Sequence, residues 1–254
     1  MNISYLKDKN KSIAYNKHFA QKRKAPSIIF HHGFKSDMNG VKALFIEKFC
    51  KEKDYNFIRF DNFGCGRSSG AFTDQTITNW LEGAQYILDE ITEGPVILVG
   101  SSLGAWIAFL SALENPSKVS GVVTVSAAFD FTEELIWNIM DDREKEELLK
   151  NKILAFTGTE ENCSDSYPIN IALIQDARKY LLLNKKEINI NCPVHLIHGM
   201  KDTDVPSSIS RRAFDLITGK DTVLKIVKNG DHKLSTPQDL RLICNSIEEI
   251  LSII

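Results

Sequence analysis

The stretch that most constrains the fold runs from Pro95 to Leu110 and reads PVILVGSSLGAWIAFL. Its first half is a short, apolar, β-branched run that predicts a buried strand, and its alanine- and leucine-rich second half predicts a helix. A Gly-x-Ser-x-Gly motif joins the two halves, with Ser102 at its centre. Such a turn strains its serine and exposes the hydroxyl, and its glycines avoid collisions with the neighbouring strand and helix. We therefore predict that Ser102 is a nucleophile at the carboxyl edge of a mostly parallel sheet.

The chain contains a second Gly-x-Ser-x-Gly motif, from Gly66 to Gly70, with Ser68 at its centre. This copy lies in a glycine- and serine-rich loop, and no helical pattern begins at its serine. A motif of this kind has meaning only in its strand-turn-helix context. We therefore interpret Ser68 as part of a tight turn.

Strand and helix patterns alternate along most of the chain. The predicted strands are Ile3–Lys7, Ser12–His18, Ser27–His31, Asn56–Phe60, Pro95–Gly100, Val119–Val125, Val194–His198 and Thr222–Val227. The predicted helices are Val41–Lys53, Thr76–Glu90, Ser208–Ile217 and Pro237–Ile254. The first two strands form a predicted edge hairpin, and the later alternation predicts an α/β fold, a mostly parallel twisted sheet with helices on both faces.

The alternation breaks between residues 127 and 187, where the pattern is mainly helical and Tyr167–Leu183 is amphipathic. We predict a core made of residues 1–126 and 188–254 and a helical insertion at 127–187. An insertion on the side where strand ends carry function is typical of a lid over a pocket. The alternative is an ordinary crossover connection with an extra helix pair.

Composition excludes several classes of function. A formal net charge of −2 over 254 residues gives no electrostatic reason to expect nucleic acid or an anionic membrane as a partner. No apolar run approaches the length of a membrane span, and the N-terminus has no signal core. The five cysteines are dispersed and lack Cys-x-x-Cys spacing, which indicates free thiols of a reducing compartment and favours the cytoplasm. We expect no metal and no cofactor.

A nucleophilic serine needs a base, and the base needs an acid that orients it. In a parallel sheet these groups lie on loops at the carboxyl ends of strands. His232 follows the last strand, and Asp202 follows strand Val194–His198, so the order Ser102, Asp202, His232 is that of the nucleophile-elbow architecture. Asp130 and Asp204 remain alternative acids.

Two backbone N–H groups are needed to hold the oxyanion of a tetrahedral intermediate. We predict that Leu103, at the start of the elbow helix, and Phe34, after strand Ser27–His31, supply them. Met38, Trp106 and Met200 are candidates for the substrate pocket, although packing explains them equally well. The remaining histidines beside strands, His31, His195 and His198, are interpreted as structural residues with satisfied hydrogen bonds.

The motifs HGF at 32–34, GSSLG at 100–104, DTDVP at 202–206 and GDH at 230–232 together resemble the α/β-hydrolase superfamily. GFKSDMNG at 33–40 and CPVHLIHGMKD at 192–202 are similar to a narrower branch, which contains a mitochondrial palmitoyl-protein thioesterase and bacterial relatives. The resemblance covers the chain from about residue 28 onward and is poor within the insertion. One departure is Cys65, where superfamily members often have histidine.

We therefore expect a cofactor-independent serine hydrolase that cleaves an acyl ester or thioester of a small molecule or an acylated protein. A lipase, a peptidase or a C–C bond hydrolase would use the same machinery. A binding protein on the same fold that has lost catalysis is the alternative from another class. The complete serine, acid and histidine set argues against this last reading.

Overall fold

The structure is a computed structural model and describes residues 3–8, 10–21, 26–156 and 166–254. Ten strands are present in these ranges: β1 Ser4–Asp8, β2 Lys11–His18, β3 Ser27–His31, β4 Phe57–Phe60, β5 Val96–Ser101, β6 Val119–Val125, β7 Ile153–Phe156, β8 Tyr167–Asn170, β9 Val194–Gly199 and β10 Thr222–Val227. Seven α-helices accompany them: α1 Val41–Lys53, α2 Ile77–Ile91, α3 Leu103–Glu114, α4 Asp142–Asn151, α5 Ile171–Ala177, α6 Ser208–Leu216 and α7 Pro237–Leu251.

Eight of the strands form one sheet in the order β1-β2-β4-β3-β5-β6-β9-β10. β2 is antiparallel to both of its neighbours. The other pairings of this sheet, which join β4, β3, β5, β6, β9 and β10 in that spatial order, are all parallel. The predicted α/β fold and the edge hairpin are confirmed. Because parallel strands share a direction, the carboxyl ends of β3, β5, β9 and β10 lie along one edge of the sheet.

Two hydrophobic cores lie on opposite faces of this sheet. The first joins the sheet to α2 and α3, and Trp80 and Trp106 are buried in it. The second joins the sheet to α1 and α7, with Ile46 and Ile247 fully buried. The strands are apolar on both sides because both faces are covered, which is why β3, β5 and β9 read as continuous apolar runs.

The segment between β6 and β9 is less helical than predicted. A π-helix at Thr132–Trp137 leads to α4, and then β7 and β8 pair as an antiparallel hairpin before α5. The prediction of one amphipathic stretch over Tyr167–Leu183 is therefore wrong at its start, because Tyr167–Asn170 pairs with β7. Residues 157–165, with Cys163 among them, lie outside the described ranges. No helix within those ranges is both long and apolar enough to cross a membrane.

Candidate active site

Ser102 lies at the sharp turn between β5 and α3. Its backbone has φ 55° and ψ −122°, a conformation that costs free energy for a residue with a Cβ atom. The turn can close only because of its glycines: a Cβ atom on Gly100 would lie 2.3 Å from the Gly104 carbonyl oxygen, and one on Gly104 would lie 2.2 Å from the His31 carbonyl oxygen. The Ser102 N–H donates to the Val125 carbonyl at 2.9 Å, which fixes the turn against β6.

The three predicted residues form a continuous chain of contacts. His232 Nε2 lies 3.2 Å from Ser102 Oγ, and His232 Nδ1 lies 2.8 Å from Asp202 Oδ2. A carboxylate can only accept hydrogen bonds, so the proton of a neutral His232 ring lies on Nδ1 and its Nε2 accepts from the serine hydroxyl. This is the arrangement that a serine nucleophile and its base require.

Asp202 is held by more groups than His232 alone. Its Oδ1 accepts from the Val205 N–H at 2.8 Å and the Asp204 N–H at 3.0 Å, and its Oδ2 lies 3.0 Å from His198 Nε2. Burial opposes ionisation of the carboxyl, but the hydrogen bonds from His198, His232 and Val205 outweigh it and hold the Asp202 pKa well below its usual range. Asp202 is therefore a fixed negative charge beneath the imidazole.

His198 is buried with satisfied hydrogen bonds, as predicted, but its contact with Asp202 was not predicted from the sequence. It is fully buried; Nε2 faces Asp202 Oδ2 and the Val205 carbonyl, and Nδ1 lies 2.7 Å from Ser210 Oγ. Since both partners of Nε2 are acceptors, Nε2 carries the proton and the serine donates to Nδ1. The spacing of His198 and Asp202, four residues apart at a strand end, was the available signal.

The two predicted oxyanion donors come from different loops. Leu103 begins α3, where the first N–H groups have no partner inside the helix, and Phe34 follows β3. Neither N–H has an acceptor among the described residues. A Cβ atom on Gly33 would lie 3.4 Å from Ser102 Cβ, so the β3 loop passes directly beside the serine.

A cleft of about 350 Å³ opens beside Ser102 and His232. The loop after β3, the start of α1, the elbow and the loop after β10 supply its lining residues. Two lysines, Lys42 and Lys233, are among them, together with Asp37. No described residue of the 127–187 segment lines this cleft.

Phe34 connects the cleft to that segment. Its ring packs against Phe131 at 5.5 Å, Tyr167 at 5.4 Å and Phe72 at 4.8 Å between centroids. The loop after β3 thus separates the cleft from an aromatic cluster.

The structure does not bring the three predicted pocket residues into the cleft. Met38 and Trp106 are fully buried in the protein interior, and Trp106 contacts the Phe131 ring edge-on at 5.9 Å. Met200 is 58% exposed beyond the end of β9. Packing accounts for the first two residues, and the third lies on the surface.

The alternatives of the sequence analysis occupy other positions. Asp130 accepts from the Leu182 and Leu183 N–H groups, and His232 Nδ1 contacts Asp202 instead. Ser68 donates to the Asp61 carbonyl at 2.6 Å and accepts from the Ala14 N–H, as expected of a turn.

His31 and His195 are buried, as expected of structural histidines, but their hydrogen bonding is not as predicted. Neither nitrogen of His31, nor His195 Nδ1, has a hydrogen-bond partner among the described residues. Burial, together with the neighbouring His32, lowers the pKa of His31 to about 3. The ring therefore stays neutral and packs against Phe60.

Within the described ranges no cluster of three or more histidine, cysteine or acidic side chains is arranged to hold a metal ion. The chemistry available to the site lies in its serine, its histidine, its carboxylate and its backbone N–H groups.

Comparison with known proteins agrees with this architecture. A family model described as the alpha/beta hydrolase fold matches residues 26–158. The bovine mitochondrial palmitoyl-protein thioesterase ABHD10 is 37% identical over 231 residues, which cover 91% of this chain and 74% of that protein.

Two solved structures superpose over nearly the whole chain. Mouse alpha/beta hydrolase domain-containing protein 10 has a TM-score of 0.90 at 32% identity and covers 99% of both chains. A putative hydrolase from Agrobacterium vitis has a TM-score of 0.90 at 35% identity and covers 98% of both. Since sequence and fold agree over this length, the chain is a hydrolase that belongs to the α/β hydrolase family.

Proposed function

We propose that this hydrolase cleaves acyl thioesters and esters through an acyl-enzyme on Ser102, with His232 as base and Asp202 as the orienting acid. The observation that carries the proposal is the unbroken contact from Ser102 Oγ through the His232 ring to the buried Asp202 carboxylate. The similarity to proteins named palmitoyl-protein thioesterases supports the choice of acyl thioesters.

The reaction follows from the placement of protons. His232 Nε2 takes the Ser102 proton as Oγ bonds to the acyl carbon, and the Asp202 charge stabilises the resulting imidazolium without taking its proton. The tetrahedral intermediate collapses, and the thiol or alcohol leaves with the proton from His232 Nε2. Water then gives a proton to His232 and attacks the acyl-enzyme, which releases the carboxylic acid and restores Ser102.

The oxyanion is held by the Phe34 and Leu103 N–H groups. Both N–H groups lack an acceptor among the described residues. Leu103 follows Ser102 in the chain, and Phe34 follows Gly33, which lies beside Ser102 in space. Loss of one such donor reduces turnover by about 10²- to 10³-fold in serine hydrolases. The α3 dipole adds to this stabilisation at Leu103.

The 127–187 segment acts as a lid over the acyl side of the site, beyond Phe34, although none of its described residues lines the cleft itself. Tyr167 from this segment is half-buried and packs against Phe34, and the Phe131 ring that also contacts Phe34 is buried in the core. An acyl chain that leaves the cleft past Phe34 would meet these rings, where burial of apolar surface is favourable.

We propose the cytoplasm as the location. The described cysteines, Cys50, Cys65, Cys192 and Cys244, are free thiols, as a reducing compartment requires. The curated relatives are named mitochondrial, which is a different compartment. Fractionation of cells that express the tagged chain distinguishes the two locations.

The test is a hydrolysis panel of acyl thioesters and p-nitrophenyl esters with Ser102→Ala and the matched variant Ser68→Ala. We expect Ser102→Ala to reduce kcat by at least about 10⁴-fold and to abolish fluorophosphonate labelling. Ser68→Ala, in the second copy of the motif, should keep both. Near-normal turnover by Ser102→Ala would overturn the proposal, and an unlabelled wild-type serine would favour a binding protein on this fold.

A further inference from the structure

The cleft beside His232 carries two cationic side chains that acyl transfer itself does not require. Lys42 lies in the first turn of α1, and Lys233 follows His232 directly. Both residues line the cleft together with Ser102 and His232. Neither lysine has a carboxylate within ion-pair distance among the described residues, unlike Lys48 and Lys53.

The two lysines are also joined to each other. Lys42 Nζ donates to the Lys233 main-chain carbonyl at 2.5 Å, so its ammonium is held at the loop that carries the base. The side chain is half-buried, and burial lowers the pKa of Lys42 to about 8. A partly desolvated ammonium without an ion-pair partner gains from an anionic ligand.

Three other charged side chains act on the Lys42 ammonium. Asp231 and Asp239 stabilise the charged form of Lys42 at longer range, and Lys233 opposes it. Asp37 also lines the cleft, but its Oδ1 accepts from the Asn39 N–H at 2.6 Å in a local turn. Among the side chains that line the cleft itself, two ammonium groups lie beside one carboxylate, and Asp231 and Asp239 lie outside the lining.

The position of this charge identifies which half of the substrate it faces. His232 Nε2 must reach the leaving atom to protonate it, so the leaving group lies on the His232 side of the scissile bond. The acyl chain is expected on the other side of Phe34, against Phe131 and Tyr167. Lys42 and Lys233 therefore face the thiol half of a thioester.

We propose that Lys42 and Lys233 form a subsite for the leaving group, and that its preferred occupant is an acylated cysteine flanked by acidic side chains in a peptide. This inference rests on the proposed function, because it concerns the thiol that the acyl transfer releases. Carboxylates beside the cysteine would pair with the two ammonium groups while the thioester carbonyl lies at Ser102. The subsite selects among acyl-peptides by charge, and acyl-chain preference is a separate property.

The test uses three S-octanoyl peptides that differ only at the residues on either side of the cysteine, which are glutamate, glutamine or lysine. We expect wild-type kcat/KM to fall in the order glutamate, glutamine, lysine, with a glutamate-to-glutamine ratio of about 5- to 10-fold at low salt. The ratio should shrink as ionic strength rises, because the subsite is partly open to solvent.

Lys42→Gln and Lys233→Gln should each reduce this ratio toward one. Lys48→Gln, on the same helix but 75% exposed and paired with Glu52, is the matched control and should keep it. Fluorophosphonate labelling of each variant verifies that its site is folded. Because a ratio compares two peptides on the same enzyme, a general loss of activity does not change it.

A second measurement uses pH. Lys42 loses its charge as pH rises through about 8, so the wild-type ratio should fall between pH 7 and pH 9. The fall should be absent in Lys42→Gln.

A wild-type ratio near one, with normal turnover of the glutamine peptide, would overturn the subsite and leave the proposed function intact. Equal ratios in wild type, Lys42→Gln and Lys233→Gln would overturn it as well. Failure of wild type to hydrolyse any thioester or ester would instead overturn the proposed function, and this inference with it.

Discussion

At the residue scale, main-chain atoms lie so close to Gly100 and Gly104 of the elbow that neither position can hold a side chain. The atoms that a Cβ on Gly104 would meet are the carbonyl oxygens of His31 and His32, at 2.2 and 2.4 Å. Both belong to β3 and the loop after it, which carries the proposed oxyanion donor Phe34. Backbone cannot rotate aside as a side chain can, so strand and helix would have to separate.

We expect Gly104→Ala to lower the free energy of unfolding by at least about 3 kcal/mol, because overpacking against backbone is among the costliest substitutions. Gly94→Ala is the matched control, since a Cβ atom there would meet no atom within 4 Å, and we expect a change below about 1 kcal/mol. Urea unfolding followed by circular dichroism measures both. Equal stability of the two variants would contradict this account of the elbow.

His198 provides the second prediction at this scale. It donates to the same Asp202 oxygen that His232 contacts, so it orients the acid and does not itself reach the substrate site. Removal of this donor by His198→Leu should reduce kcat by about 10-fold with little change in KM, because a hydrogen bond to a charged group is lost. His198→Gln can place an N–H donor at the Nε2 position and should recover most of the loss. An equal loss in both variants would indicate that His198 supports packing alone.

At the element scale, polar contacts hold the 127–187 segment to the core at both ends, and Asn170 of β8 donates to the Thr73 carbonyl between them. Glu134 of the π-helix pairs with Arg212 of α6 at 2.7 Å, and Asp176 of α5 accepts from the Thr78 N–H at 2.8 Å. Asp130 anchors the return of the chain by accepting from the Leu182 and Leu183 N–H groups. The α4 helix and the β7-β8 hairpin lie between these anchors.

Asp130 makes stability depend on pH. Burial raises the pKa of this carboxyl to about 6, although the Leu182 and Leu183 N–H groups oppose the shift. Below the pKa of this carboxyl in the unfolded chain, the folded and the unfolded protein are both protonated at Asp130, and the group's stabilising contribution is fully present. As pH rises toward about 6, the unfolded chain releases this proton first. The free energy of unfolding therefore falls over this range. We expect Asp130 to lower the free energy of unfolding by about 2 to 3 kcal/mol between pH 4 and pH 6.5.

Asp130→Asn isolates this contribution, since asparagine tolerates the left-handed backbone at φ 54° and keeps an acceptor for the two N–H groups. Wild type should lose stability relative to the variant as pH rises from 4 to 6.5. Above pH 6.5 the difference between their free energies of unfolding should stay constant. Denaturant unfolding at a series of pH values measures the difference. A difference independent of pH would contradict the shifted pKa.

At the scale of the whole molecule, the sequence predicts the main sheet well because local pattern and global topology agree there. The predicted bounds of β3, α1 and β6 coincide with the observed ones, since each lies between clear turn residues. The proposed catalytic residues, Ser102, Asp202 and His232, could be placed near one another from the sequence because each follows a strand whose carboxyl end lies on one edge.

The rest depends on contacts between distant parts of the chain. The β7-β8 hairpin and the π-helix are short elements whose conformation is determined by packing, so their local patterns resemble helix. The Lys42 and Lys233 contact joins residues 191 positions apart, and no local signal in either segment indicates it. The pocket candidates Met38 and Trp106 were ambiguous for the same reason, because an apolar side chain fits a pocket and a core equally well.

The proposed placement of the acyl and leaving-group halves on opposite sides of Phe34 leads to a prediction for the molecule as a whole. Tyr167 packs with the core on the α2 and α3 face of the sheet, and Lys42 lies beside Ala43, which is buried in the core on the α1 and α7 face.

Tyr167→Ala should change the dependence of kcat/KM on acyl chain length, and Lys42→Gln should change the preference for acidic peptides. Because substitutions at separated sites act independently, the double variant should show both effects, with a coupling below about 0.5 kcal/mol in transition-state free energy. Kinetics of all four proteins on the octanoyl and acetyl peptides measure the cycle. A coupling of about 1.4 kcal/mol, which is tenfold in rate, would mean that acyl chain and leaving group share one subsite, and the division at Phe34 would then be wrong.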